Sequence, residues 1–145
     1  MLDRVLFVCV GNICRSPTAE ALWNARRVSK GLEATGWSAG IGAEPGREIY
    51  TDAAELLVQS GINASTHRSQ TLRTSMLRDS SLVLVMEHWH KVELEKRAPF
   101  ARGRIYCLGH WSDSEIPDPY GRSAETFRRV YQLIDQGVDD WLARW

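Results

Sequence analysis

The chain has 145 residues, 43% hydrophobic and 25% charged, with 18 Lys and Arg against 18 Asp and Glu. This is the composition of one globular domain, 1–145, with a core of its own, and it excludes disordered, collagenous and disulfide-scaffold proteins. Zero net charge, three cysteines and no apolar run near the ~20 residues of a membrane span predict a cytoplasmic protein without membrane insertion or a nucleic-acid partner.

Arg4-Val5-Leu6-Phe7-Val8-Cys9 is a continuous apolar run of the kind found in parallel strands buried on both faces. A loop follows from Val10 to Arg15. Ser16-Pro17 then reads as the N-cap and first residue of a helix running to about Lys30, with Glu20 in the first turn and Gly31 ending it. Leu32–Ala39 reads as a weaker strand broken by Gly36, and Asp52–Gln59 as a second helix closed by Gly61. Leu82–Met86 and Arg104–Leu108 are two more apolar strands. The clearest helix is the last: Phe127, Val130, Tyr131, Ile134, Val138, Trp141, Leu142 and Trp145 keep helical spacing along one apolar face. Strands alternating with helices predict an α/β fold, a three-layer α/β/α sandwich around a parallel sheet of about four strands. Ligands of such folds bind beyond the carboxyl ends of the strands, which directs attention to the loop after the first strand.

That loop reads Cys9-Val10-Gly11-Asn12-Ile13-Cys14-Arg15-Ser16. A cysteine ends a buried strand and an arginine stands six positions on, beside a helix start. Backbone N–H groups in such a curl form an anion-binding nest. Gly11 and Asn12 suit the left-handed conformations it needs. Arg15 offers a planar fork for two phosphate oxygens. The same positive field favours the Cys9 thiolate. Ser16 either donates a hydrogen bond to that sulfur or caps the helix. The Gly-Lys-Ser/Thr ending of a nucleotide loop is absent.

Val8-Cys9-Val10-Gly11-Asn12-Ile13-Cys14-Arg15-Ser16-Pro17 resembles the signature of the low-molecular-weight protein-tyrosine phosphatases. Ser38-Ala39-Gly40 and Asp118-Pro119-Tyr120 agree with it, and the resemblance spans essentially the whole chain. The stretch Ile116-Pro117-Asp118-Pro119-Tyr120-Gly121 resembles the bacterial branch, many of whose members act beside tyrosine kinases controlling capsule or exopolysaccharide export. The resemblance implies hydrolysis of phosphotyrosine through a phosphocysteine on Cys9, with Arg15 and Asp118 completing the catalytic set. It implies phosphate binding by Val10, Gly11, Asn12, Ile13, Cys14, Arg15 and Ser16, and no metal or organic cofactor. Its partner would be a phosphotyrosine protein, such as a bacterial tyrosine kinase, and the enzyme itself a monomer or weak oligomer. Ser38 and His67 are implied as supports, His67 by a hydrogen bond to Asn12. Tyr120 is expected to line the pocket mouth.

Other candidates remain open beside these. A Pro-Asp-Pro turn is also ordinary turn chemistry, and Asp113 and Glu115 are alternative acids. Cys14 is a candidate redox partner for an oxidised Cys9, or packs under the loop. The segment Ile41–Asp52 departs from the family: Glu44 and Arg47 stand where an apolar or aromatic wall is common, with Ile49 or Tyr50 as substitutes. Glu87 stands where the family often has an aspartate, and no catalytic role is assigned to it. His88-Trp89-His90 reads as a solvated helix start rather than a metal site. Arg26-Arg27 and Arg128-Arg129 read as solvated helix faces, Trp141 and Trp145 as core, and Cys107 as a buried strand residue. Two other functions share the anion loop: a thioredoxin-coupled arsenate reductase, which needs more cysteines than Cys14 and Cys107, and a non-catalytic phosphoprotein-binding module.

Overall fold

A computed structural model describes residues 3–145. Four strands form one parallel sheet in the order β2-β1-β3-β4: β1 Arg4–Cys9, β2 Thr35–Gly40, β3 Leu82–Val85 and β4 Ile105–Cys107. Five α-helices cover its two faces: α1 Arg15–Ser29, α2 Thr51–Gln59, α3 Thr74–Arg78, α4 His88–Arg97 and α5 Ala124–Leu142. The result is the three-layer α/β/α sandwich that the alternation of apolar runs predicts.

The side chains of β1 alternate between two cores. Val5, Phe7 and Cys9 belong to the core beneath α1, α2 and α5, with Leu22, Trp23, Leu57, Ile134 and Val138. Leu6 and Val8 face the opposite layer, with Met76, Leu77 and Leu94. This period of two puts Cys9 on the α1 face at the end of its strand. From β1 the chain crosses to β2 on one side, and later pairs β3 on the other. The crevice between the carboxyl ends of β1 and β3 is therefore the topological switch point.

Several local expectations are corrected. α1 begins at Arg15, with Cys14 as N-cap and no side-chain cap. Ser16 is engaged elsewhere, and Pro17 sits within the first turn, where its missing N–H is harmless. Glu20 lies beyond that turn and meets β2. The second strand starts at Thr35, after the expected Leu32. Helix α3 is not among the expected elements, whereas α4 begins at His88, where a helix start is read from the sequence. α4 buries only His90 and Leu94, four residues apart, in an otherwise polar sequence. His90 is fully buried rather than solvated, whereas Trp89 is exposed. Arg26 is no free surface cation: it pairs with Asp135 and Asp139, tying α1 to α5. Cys107 is half-buried. Trp141 is core, but Trp145 lies past the end of α5, 42% exposed, with its ring edge-on to Trp23 at 5.4 Å.

Candidate active site

The loop after β1 closes on itself around the Cys9 sulfur. Asn12 takes a left-handed conformation, φ 55°, and its N–H donates to Cys9 Sγ at 3.3 Å. Carbonyls of the loop are engaged outside it: Val10 accepts from the Gly42 N–H, Ile13 from the Tyr50 N–H, and Cys14 from Thr18. That leaves backbone N–H groups as the loop's inward polar surface, at the start of a 15-residue helix whose dipole adds to them. Gly40 permits the packing behind the loop, because a Cβ there would sit 2.4 Å from the Val10 carbonyl oxygen.

A buried network fixes which way the hydrogens point. The Gln70 backbone N–H can only donate, and it donates to Asn12 Oδ1 at 2.9 Å. Asn12 Nδ2 is therefore a donor, to Ser16 Oγ at 2.8 Å and Ser38 Oγ at 2.9 Å. With their oxygens accepting from Asn12, both hydroxyls have a proton free to give. Ser38 gives it to Glu20 Oε1 at 2.6 Å. Ser16 gives it to Cys9 Sγ at 2.9 Å. Donation from Ser16 and from the Asn12 N–H stabilises negative charge on that sulfur. His67 Nε2 meets the Asn12 carbonyl at 2.7 Å and holds the strained residue from its other side. Glu20 and Gln70 belong to this support and were invisible as such in the sequence, since both act across 18 or more residues. Burial pushes the Glu20 carboxyl above its usual range, against the pull of the Ser38 hydroxyl and of His67.

Arg15 is 2% exposed. Its Nη1 donates to Glu87 Oε2 at 2.6 Å and to the Ile116 carbonyl at 2.8 Å. One corner of the guanidinium is thus fixed from behind, and Nε–H and Nη2–H remain for a ligand. Glu87 follows Met86 just past the end of β3 and stands at the N-cap position of α4. Its sequence position assigns it no catalytic role, and the structure makes it the ion-pair partner of Arg15. Behind it, His90 Nδ1 accepts from the Met86 and Glu87 N–H groups at 3.3 and 3.2 Å. Burial first, and then the Arg15 charge, depress the His90 pKa to about 4.

Cys9 through Arg15 line a cavity of about 230 Å³, together with Arg47, Asp118 and Tyr120. Asp118 is exposed, and its Oδ1 accepts from the Tyr120 N–H at 3.0 Å, which leaves Oδ2 without a hydrogen-bond partner among the described residues. Tyr120 stands edge-on to Tyr50 at 5.2 Å, and Tyr50 stacks on Phe127. Tyr50 thereby props the wall that Tyr120 forms. The expected wall residue Glu44 does not line this cavity; its side chain is 78% exposed, and Arg47 takes the place. Of the alternative acids, Glu115 accepts from the His88 N–H, and Asp113 lines a separate cavity with His88 and Cys107. Ser16, Ser38 and His67 stand behind the loop rather than in the cavity. Burial, then the neighbouring Cys9, raise the Cys14 thiol to about 12. Among the described residues no three His, Cys, Asp or Glu side chains are grouped as metal ligands.

An anion-binding curl with a sulfur at its centre, a fixed guanidinium and a carboxyl at the rim can hold a tetrahedral phosphate against a nucleophile. Comparisons with known proteins agree with that chemistry. A probable low-molecular-weight protein-tyrosine-phosphatase, EpsP of Ralstonia nicotianae, is 38% identical over 144 residues, 99% of this chain and 97% of its own. The low-molecular-weight protein-tyrosine-phosphatase Wzb of Escherichia coli is 37% identical, over 97% of this chain and 94% of its own. Among solved structures, Vibrio vulnificus Wzb in complex with benzylphosphonate superposes with a TM-score of 0.92 at 36% identity, over the full length of both chains. Residues 4–145 match the low molecular weight phosphotyrosine protein phosphatases, and the chain belongs to that family of cysteine-dependent protein-tyrosine phosphatases.

Proposed function

We propose that Cys9, Arg15 and Asp118 carry the phosphatase reaction of this chain. The Cys9 thiolate attacks phosphorus in line, and the bond to the tyrosine oxygen breaks as Asp118 protonates that oxygen. Arg15 and the loop N–H groups bind the three equatorial oxygens and the charge that develops on them. A water, losing its proton to the Asp118 carboxylate, then attacks the phosphocysteine; the P–S bond breaks, and inorganic phosphate and the thiolate are released. One observation carries this assignment: Cys9, Arg15 and Asp118 line the same cavity. No added cofactor is invoked, because the curl and Arg15 supply the positive charge. The whole chain, 1–145, serves as one catalytic unit.

The physiological substrate in this reading is an autophosphorylated tyrosine kinase, or another protein of exopolysaccharide production, met in the cytoplasm by a monomeric or weakly associating enzyme. The likeness to EpsP and Wzb and the Ile116–Gly121 stretch support it. No helix among the described residues is long and apolar enough to cross a membrane. Release of nitrophenol from p-nitrophenyl phosphate, lost in Cys9→Ser, tests the enzyme against the binding-module reading. Arsenate-dependent thiol consumption would instead indicate the reductase, which the position of Cys107 on a separate cavity disfavours. Phosphoproteomics with Asp118→Ala as a substrate trap identifies the partner. Cys14 is retained as a redox partner of Cys9 only in a slow sense, because burial keeps it a thiol and a poor nucleophile.

A further inference from the structure

Glu87 sets the aim of Arg15, so whatever holds the Glu87 carboxylate acts on the anion site at one remove. Glu87 is about one-quarter exposed, with its backbone extended at the N-cap of α4. Beyond the capping-box contact with the α4 backbone, a carboxylate so placed is held on its Arg15 side only as firmly as neighbouring side-chain donors restrain it. The structure holds one candidate. His90 is completely buried, and its Nδ1 lone pair is occupied by the two backbone N–H groups of Met86 and Glu87. A ring nitrogen that accepts cannot carry the proton of a neutral imidazole, so the proton is on Nε2. Nε2 is a buried donor with no hydrogen-bond partner among the described residues. Its near neighbour is Glu87 Oε2 at 3.5 Å, the same oxygen that Arg15 Nη1 reaches at 2.6 Å.

An unsatisfied buried N–H is costly, and here it stands just outside bonding distance of an anion. We propose that His90 is a positioning residue for the phosphatase reaction, its Nε2–H closing on Glu87 Oε2 when phosphate enters, so that Glu87 keeps Arg15 aimed at the transferring group. The inference rests on the reading of Arg15 as the phosphate-binding guanidinium. Its physical basis is competition. An incoming phosphate dianion draws on the positive charge that Glu87 otherwise pairs with, and it repels Glu87 across the guanidinium. A second donor on Glu87 Oε2, beside Arg15 Nη1, offsets that repulsion and keeps Arg15 from following the substrate out of line. Because charge on the equatorial oxygens grows in the transition state, the restraint acts more on kcat than on KM.

Two substitutions separate this role from simple helix capping. His90→Asn keeps an acceptor near the Nδ1 position for the Met86 and Glu87 N–H groups but has no donor reaching Glu87. His90→Gln extends a donor toward Glu87 but gives up the near acceptor. With p-nitrophenyl phosphate at neutral pH, His90→Asn is expected to melt near the wild-type temperature while kcat/KM falls about 10-fold, mostly in kcat. His90→Gln is expected to melt lower and to keep more of the wild-type kcat. In a Glu87→Gln background, His90→Asn should cause little further loss, since its route to Arg15 is already cut. Wild-type kinetics in His90→Asn, losses that add in full to those of Glu87→Gln, or losses that follow the fall in melting temperature across both variants would overturn the proposal. A folded wild-type protein that releases no nitrophenol would refute the phosphatase reading itself; an active wild type with a silent His90→Asn refutes only the positioning role.

Discussion

Replacing Arg15 by lysine separates charge from geometry at the anion site. The wild-type guanidinium uses Nη1 for Glu87 and the Ile116 carbonyl, which leaves a fork of Nε–H and Nη2–H for phosphate. A lysine ammonium has three donors on one atom. Placed near Glu87 and Ile116 it is out of reach of the phosphate; placed on the phosphate it abandons a carboxylate and a buried carbonyl. Either arrangement forfeits two charge-assisted hydrogen bonds. At about 1.5–3 kcal/mol each, the loss is roughly 3–6 kcal/mol, or about 150- to 25,000-fold in kcat/KM. Arg15→Lys should therefore be nearly inactive although the net charge is unchanged. The assay is single-turnover hydrolysis of p-nitrophenyl phosphate beside the melting temperature, so that a folding defect is not taken for a kinetic one. Activity within a few-fold of wild type would show that positive charge alone suffices, and the fork argument would fail.

Asp118→Asn should lower the first chemical step modestly for p-nitrophenyl phosphate, whose leaving group has a pKa of roughly 7, and a further ~10–100-fold for phenyl phosphate or phosphotyrosine, near 10. The slope of log rate against leaving-group pKa reads this out, and parallel slopes in wild type and variant would mean that another group supplies the proton. The depressed His90 pKa also predicts a stability profile. Between pH 6.5 and about 4 the unfolded chain takes up a proton that the folded chain refuses, so stability falls as pH falls through that window. The loss amounts to about 3 kcal/mol at 1.36 kcal/mol per unit, and His90→Asn should lack it in denaturant titrations; equal pH profiles would contradict the burial argument. Peroxide inactivation should be reversed by dithiothreitol less completely in Cys14→Ser than in wild type, and only after slow disulfide formation, because Cys14 stays protonated. Equal recovery would remove Cys14 from redox protection.

Legibility in the sequence followed the range of the interactions. β1 was readable because all its inner positions are apolar, and the loop after it because Gly11, Asn12 and Arg15 each bring a local property the curl requires. α5 was readable from its long apolar stripe. Of α4 only the start at His88 was, because HWHKVELEKR buries only two side chains and one of them is a histidine, so its inner face leaves no apolar stripe. Ser16 reads from the sequence either as a cap or as a donor to the Cys9 sulfur; the fold decides for the sulfur and adds the Asn12 contact, which has no local signal. Glu87 acts on Arg15 across 72 positions, a contact without local pattern. Glu44 and Arg47 share one exposed turn, which Ser69 holds by hydrogen bonds to the Glu44 carbonyl and the Arg47 N–H across more than 20 residues, and no local pattern tells which of the two reaches the cavity.

The account stands on a covalent bond between Cys9 and phosphorus. Rapid quench of a labelled aryl phosphate, followed by peptide mapping under conditions that preserve thiophosphate, reads it directly. It should recover one equivalent of phosphate on Cys9, none on Cys14 or Cys107, and none in Cys9→Ser, which should also lack turnover. Full turnover by Cys9→Ser, or label on another residue, would contradict it.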